Sequence, residues 1–195
     1  MGYGRAGVRP HSQVASQLIS DVLHAEEAGA AIFYGLYTHA GQSYYGNDSA
    51  SAVDLLRQEF EALLVTAELV KSATPREKLV LSVGATPTTM SIRNLLVQES
   101  ALTTDEQTAI AALKGTIQEI RSRDCEVELH AGVYPVLDVQ LLATHALSSP
   151  MLSWSHLALT IMAEVASIYP GRGEGGRSEV LDAACSLALG REPCK

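Results

Sequence analysis

The chain has 195 residues, 47% of them apolar and 18% charged, which suits one domain or one domain with a small appendage and argues against wholesale disorder. It sets 14 Lys and Arg against 22 Asp and Glu, a formal net charge of −8, with the basic residues scattered. So acidic a chain is a poor candidate for binding nucleic acid or an anionic membrane.

No apolar run approaches the roughly 20 residues of a membrane span. The start, Met1-Gly2-Tyr3-Gly4-Arg5, is not followed by the apolar stretch of a secretory signal. Three cysteines, Cys125, Cys185 and Cys194, are odd in number and form no C-x-x-C pair. Free thiols in a reducing compartment are the expectation, hence a cytoplasmic protein.

In chain order, Gly2 to Pro10 reads as a strand end or loop. Ser12 is placed to cap a helix in which Val14, Leu18, Val22 and Ala25 recur at helical spacing, and Gly29 closes it. The aromatic and aliphatic density of Ala31 to His39 predicts a buried strand. A polar loop from Ala40 leads to Ser51, which can cap the next helix, where Val53, Leu56, Phe60, Leu63, Ala67 and Val70 draw one stripe. Pro75 ends it. Leu79 to Val83 is too short an apolar run for a helix and reads as a strand.

Thr104 and Gln107 suggest a capping box, followed by the helical stripe Ile110, Leu113, Ile117 and Ile120. Glu126 to His130 is another short strand. Strand and helix thus alternate, which predicts parallel strands with the loops after each strand gathered at one end of the sheet. Beyond Pro150 the pattern changes. Leu157 to Ala166 alternates like a long period-two strand, glycines follow from Gly171 to Gly176, and Glu179 to Cys185 offers a partner strand. The expected division is 1–150 as α/β and 151–195 as antiparallel β.

Three loops carry polar groups suited to chemistry. Gly84-Ala85-Thr86-Pro87-Thr88-Thr89 could hold a phosphate on backbone N–H groups and hydroxyls, or be an ordinary turn between strand and helix; it lacks the Gly-Lys-Ser/Thr of a P-loop. His39, Gln42, Tyr44 and Tyr45 share one loop. His130 and Tyr134 flank Gly132, with Asp138 beyond. Arg5, between small residues, can reach a ligand or pair with a carboxylate. No metal-ligand spacing of His or Cys occurs, and no G-x-S-x-G.

Five segments together resemble one family. They are Gly2-Tyr-Gly-Arg-Ala-Gly-Val-Arg-Pro10, Tyr34-Gly-Leu-Tyr-Thr-His-Ala-Gly-Gln-Ser-Tyr44, Leu81-Ser-Val-Gly-Ala-Thr-Pro-Thr88, Glu128-Leu-His-Ala-Gly-Val-Tyr134 and Tyr169-Pro-Gly-Arg172. They look like eukaryotic D-serine dehydratase, grouped with D-threonine aldolase among pyridoxal-phosphate enzymes with an alanine-racemase-like barrel. The closing run, Ala188 to Lys195, is similar to the fungal branch. The segment from Tyr34 to Tyr44 looks more like the dehydratase than the aldolase, which stays as the neighbouring alternative.

The resemblance implies a fold and a site. The fold is a partial (β/α)8 TIM-type barrel followed by the start of an antiparallel β domain; a whole barrel takes about 250 residues. The chain is therefore expected to be an internal piece of a longer protein. By resemblance, Gly84, Ala85, Thr86 and Thr88 would hold the cofactor's phosphate and Arg5 would face its pyridine nitrogen. His39, Gln42 and Tyr44 would line the ring or the substrate side, with Tyr134 and Asp138 in the last barrel loop. Val83 and Ala85 depart from the family's Gly- and Ser-rich pattern, a change that backbone contacts survive and a hydroxyl contact would not.

The family's Schiff-base lysine lies upstream of the segments matched, and its zinc ligands lie beyond Lys195. The implied reaction converts D-serine to pyruvate and ammonia, the cofactor taking up electrons from the α-carbon and zinc assisting loss of the β-hydroxyl. Without the family's Schiff-base lysine and zinc ligands, this chain is expected not to run it alone. A non-catalytic half-barrel, pairing with itself as a homodimer or with another chain, is the alternative of a different class.

Overall fold

The structure, a computed structural model, describes residues 6–76, 78–132 and 136–183. It is mixed α/β. A parallel three-stranded sheet is made of β1 (Gly35–Thr38), β2 (Leu79–Val83) and β3 (Cys125–Leu129), in that spatial order. Gly35 pairs with Val80 and Thr38 with Val83, while Leu79 pairs with Cys125 and Val83 with Leu129. The order follows the sequence without reversal. Right-handed crossovers between successive neighbours place their helices on one face.

The helices bear this out. Helix α1 (Gln13–Glu27) is capped by the Ser12 hydroxyl, which accepts from the Ala15 N–H. Its inward residues are Ala15 and Ile19, whereas Val14 and Leu18 of the predicted stripe are exposed. Helix α2 (Ser49–Ala73) contains no Gly or Pro and stops before Thr74-Pro75, where proline disfavours a continuing helix. Its cap is Asp48, not Ser51: the Asp48 carboxylate accepts from the Ser51 N–H at 2.7 Å. A one-turn helix, α3 (Thr86–Ser91), follows β2.

Helix α4 (Thr104–Ser122) opens with a capping box one residue earlier than expected, between Thr103 and Glu106. The Glu106 carboxylate accepts from the Thr103 N–H while the Thr103 hydroxyl accepts from the Glu106 N–H. An acid at the helix start also complements the macrodipole.

One hydrophobic core joins these elements. Val53, Leu56, Phe60, Leu63, Ala67 and Val70 of α2 meet Leu79, Leu81 and Val83 of β2 and Ile110, Leu113 and Ile120 of α4. Each fully buried Leu, Val or Phe side chain contributes about 1.5–3 kcal/mol of transfer free energy. The sheet face turned away from these helices is of another kind. Tyr37, Ser82 and Glu128 form one row across it, since Tyr37 pairs with Ser82 and Ser82 with Glu128. This explains why the aromatic segment before His39 is not the buried strand its composition predicts. The regular strand is limited to Gly35–Thr38, and Tyr34 and Tyr37 are exposed on the polar face.

A smaller cluster of Met90, Leu137, Leu141, Leu147 and Leu152 packs α3 against α5 (Val139–Thr144) and the chain after it. Asn94, 1% exposed, ties this region down by donating to the Ala146 carbonyl and accepting from both the N–H and hydroxyl of Ser148.

The antiparallel part is a hairpin of β4 (Val165–Tyr169) and β5 (Glu179–Asp182), with an irregularity between Val165 and Ser167. Residues 157–164, expected to start a long strand, are not in one; only the Val165 end of that alternation finds a partner. The turn uses Gly171, Gly175 and Gly176 at φ of 72°, 65° and 75°, a region that favours glycine.

Candidate functional site

The loops after β1, β2 and β3 meet at the C-terminal end of the parallel sheet, as strand–helix alternation requires. The chain leaves β1 through His39 and Ala40 into a 3-10 turn, Gly41–Tyr45, which carries Gln42 and Tyr44. Tyr44 is half-buried and its hydroxyl accepts from the Thr86 backbone N–H at 3.3 Å, joining the first loop to the second. The His39 ring stacks on Tyr44 with centroids 6.3 Å apart and planes 25° apart. The Tyr37 hydroxyl lies 3.3 Å from His39 Nδ1, and its ring meets His130 edge-on at 5.8 Å.

The second loop is joined to the third through two threonines. Thr86 Oγ1 accepts from the Gly132 N–H at 3.3 Å, and the Thr89 hydroxyl donates to the His130 carbonyl at 3.2 Å. Gly84 is kept open by the Tyr37 ring: a Cβ there would come within 2.6 Å of its Cζ. Ala85 is fully buried and caps α3, in whose first turn Thr86 gives its N–H to Tyr44 and Pro87 has none.

The expected site residues therefore divide. His39, Gln42, Tyr44, Gly84, Ala85 and Thr86 are brought together. Thr88 is 0% exposed and turned inward, donating to Glu59 at 2.6 Å, so its hydroxyl is engaged in the core. Asp138 caps α5 by accepting from the Leu141 N–H. Arg5 and Tyr134 lie outside the described residues, as do Cys185 and Cys194. Cys125 is a free, buried thiol.

The sequence reading missed two groups. Glu59, wholly buried, accepts from the Ala40 N–H at 2.8 Å as well as from Thr88. Burial pushes its pKa above the ordinary 4.5, against the hydrogen bonds from Thr88 and Ala40 that lower it. A charged residue three after Leu56 and four before Leu63, inside an apolar stripe, was the available signal.

The other group centres on Glu128. Its carboxylate accepts from the Tyr34 hydroxyl at 2.7 Å and the Ser82 hydroxyl at 2.9 Å, and lies 2.6 Å from His130 Nε2. The Tyr34 hydrogen bond foremost, then those of His130 and Ser82, lowers its pKa to about 2. Here the alternation of Glu126 and Glu128 with Val127 and Leu129 was legible as one acidic face.

The sheet end gathers the Tyr37 and Tyr44 phenols and the His39 and His130 imidazoles, with the His39–Tyr44 rings stacked. A covalent anchor is another matter. Lys71 donates to the Arg123 carbonyl, Lys78 pairs with Glu126 at 2.7 Å before β2, and Lys114 lies on α4. Among the described residues, no group of three or more His, Cys, Asp or Glu side chains is placed to hold a metal ion, and no helix is long and apolar enough to cross a membrane.

The fold and its loops define an α/β protein with a polar cluster at the C-terminal end of parallel strands. Comparison with known proteins makes this specific. The chain is 36% identical to a D-serine dehydratase of Schizosaccharomyces pombe over 98% of its length, and 31% identical to that of Saccharomyces cerevisiae over 89%. It is 25% identical to a D-serine dehydratase of Dictyostelium discoideum over 98%. Nearly its whole length is thus similar to D-serine dehydratases. It spans 40%, 37% and 40% of the lengths of these three relatives. No protein-family model matches the chain, and no solved structure matches it significantly.

Proposed function

We propose that this chain forms the cofactor-cradling part of a pyridoxal-phosphate-dependent lyase acting on D-serine, with the parallel sheet as part of an alanine-racemase-like barrel and the β4–β5 hairpin as the start of a β domain. One observation carries the reading. Three loops of the segments that resemble the family converge at one sheet end, linked through Tyr44, Thr86 and Gly132. Strands that neighbour each other in chain order, with their helices on one face, also suit a singly wound barrel better than a doubly wound open sheet.

In this reading the loop Gly84-Ala85-Thr86 borders the cofactor's phosphate, with the Thr86 N–H held by the Tyr44 hydroxyl. His39 and Tyr44, stacked together, flank the ring, with Gln42 in the same turn. Arg5 and Tyr134 remain candidates for the cofactor by resemblance alone. The cofactor, when bound, supplies an electron sink for the substrate's α-carbon. The chain's own residues bind and orient: Tyr44 fixes the Thr86 amide, and Glu128 holds the His130 ring in place through Nε2. The lysine anchor and zinc ligands that the resemblance implies would come from outside this chain. The protein takes a small D-amino acid, with no nucleic-acid or membrane partner, and works in the cytoplasm.

The test adds pyridoxal phosphate to the purified chain and follows absorbance with and without borohydride, together with pyruvate release from D-serine. The expected result is saturable spectral binding, no borohydride-trapped adduct and no pyruvate. A trapped lysine adduct with turnover would overturn the division between cradle and anchor. No spectral binding would overturn the cradle.

A second reading is favoured by a specific observation. Among the described residues the outer edges of β1 and β3 have no strand partner. Unpaired edges invite association, so a half-barrel that pairs with a second copy or another chain is the alternative. A discrete dimer in size-exclusion chromatography without pyridoxal-phosphate binding would select it.

A further inference from the structure

Glu59 stands in the middle of α2, at a position of the apolar stripe, and is 0% exposed. A carboxyl group buried there is costly, and an apolar side chain of similar size would normally be the more stable choice. Its two oxygens do different things. Oε1 accepts from the N–H of Ala40, the residue that begins the 3-10 turn carrying Gln42 and Tyr44. Oε2 accepts from the hydroxyl of Thr88, in the helix that follows β2.

These loops are joined a second time on their other side, where the Tyr44 hydroxyl accepts from the Thr86 N–H. The contacts close a ring: Glu59 to Ala40, along the turn to Tyr44, across to Thr86, along α3 to Thr88, and back to Glu59. One side chain of fixed length, held by a packed helix, thereby sets the spacing between the His39–Tyr44 pair and the start of α3.

We propose that Glu59 is a positioning residue that locks the loops after β1 and β2 into one rigid frame and so tunes the grip on the ligand's phosphate. This rests on the reading of the sheet end as a pyridoxal-phosphate cradle. Glu59 touches no ligand itself. Glutamine in its place preserves the frame, because its carbonyl accepts from Ala40 while its amide donates to the Thr88 oxygen, and Thr88 turns its proton to the Ala85 carbonyl 3.1 Å away. Leucine fills the space and makes neither bond.

The experiment compares the wild-type chain with Glu59→Gln, Glu59→Leu and Thr88→Val, in two measurements. The first titrates pyridoxal phosphate and, separately, pyridoxal, which lacks the phosphate. Glu59→Leu is expected to weaken pyridoxal phosphate about tenfold or more while leaving pyridoxal unchanged, and Glu59→Gln to stay within about threefold of wild type. The second measures amide hydrogen exchange without ligand. Glu59→Leu is expected to lose protection at 38–45 and 84–89 together, with α4 unchanged, and Thr88→Val to lose it at 84–89 alone.

An unchanged ratio of the two affinities in Glu59→Leu, or an even loosening that includes α4, overturns the proposal: Glu59 is then ordinary core. If the wild type prefers neither ligand, the cradle reading fails, and exchange alone decides. Joint loosening of the two loops upholds the frame, and its absence overturns it.

Discussion

Replacing Gly35 by alanine tests the packing of the sheet most directly. Gly35 pairs with Val80, and a Cβ at Gly35 would lie against the Val80 carbonyl oxygen and only 2.9 Å from both its carbonyl carbon and its Cβ. Carbon atoms sit comfortably about 3.5–4.0 Å apart, so β1 must move away from β2 by roughly 0.8 Å. The atoms in the way are mainly backbone and cannot swing aside. Overpacking of this kind costs about 2 kcal/mol, and two stretched ladder hydrogen bonds forfeit about 1 kcal/mol each. A stiffer unfolded chain returns at most about 1 kcal/mol. The expected net loss is about 3 kcal/mol, read from urea unfolding followed by circular dichroism. Gly84→Ala is the control. Its new Cβ meets the far end of Tyr37, an exposed side chain that can swing outward by giving up its contacts to His39 and His130, so the loss stays below about 1 kcal/mol. A Gly35→Ala chain within about 0.5 kcal/mol of wild type would refute the reasoning.

Three further perturbations follow from the same geometry. Phe60→Ala empties the centre of the core and is expected to cost about 3–5 kcal/mol in urea unfolding; a loss under about 1 kcal/mol would show that the cluster is not packed as described. Asn94→Ala leaves the Ala146 carbonyl and the N–H and hydroxyl of Ser148 without their partner, at about 3 kcal/mol, and protection of the Ser148 amide from exchange should fall with it. Glu128 has its pKa lowered on folding, so its contribution is present above the ordinary value of 4.5 and is lost as the pH falls towards 2. Glu128→Gln should therefore flatten the decline of stability across that window, and an unaltered slope would remove Glu128 from the account.

What could be read from the sequence was whatever depends on near neighbours in the chain. The stripe from Val53 to Val70 and the run from Leu79 to Val83 lie where periodicity puts them, because a long amphipathic helix and a short apolar strand have few alternatives. Boundaries shifted where two residues compete for one role. Asp48 outcompetes Ser51 as a cap, and Thr103 with Glu106 outcompetes Thr104 with Gln107. The aromatic segment around Tyr34 and Tyr37 misled because its rings serve a polar sheet face, which only tertiary pairing reveals. Likewise His39, Tyr44 and Thr86 could be named from their loops, but not the inward turn of Thr88. That depends on Glu59, 29 residues away in sequence.

The row of Tyr37, Ser82 and Glu128 has a consequence for how the strands find their alignment. Parallel pairing alone is permissive, since a strand shifted by one residue can still satisfy its backbone. In β3, however, a one-residue slip would turn Glu126 and Glu128 towards the leucines of β2 and carry Val127 and Leu129 to the side of Ser82 and Tyr37. The shifted arrangement would break the bridge from Ser82 to Glu128. The acidic face thus distinguishes the observed register of β3 from one slipped by a residue.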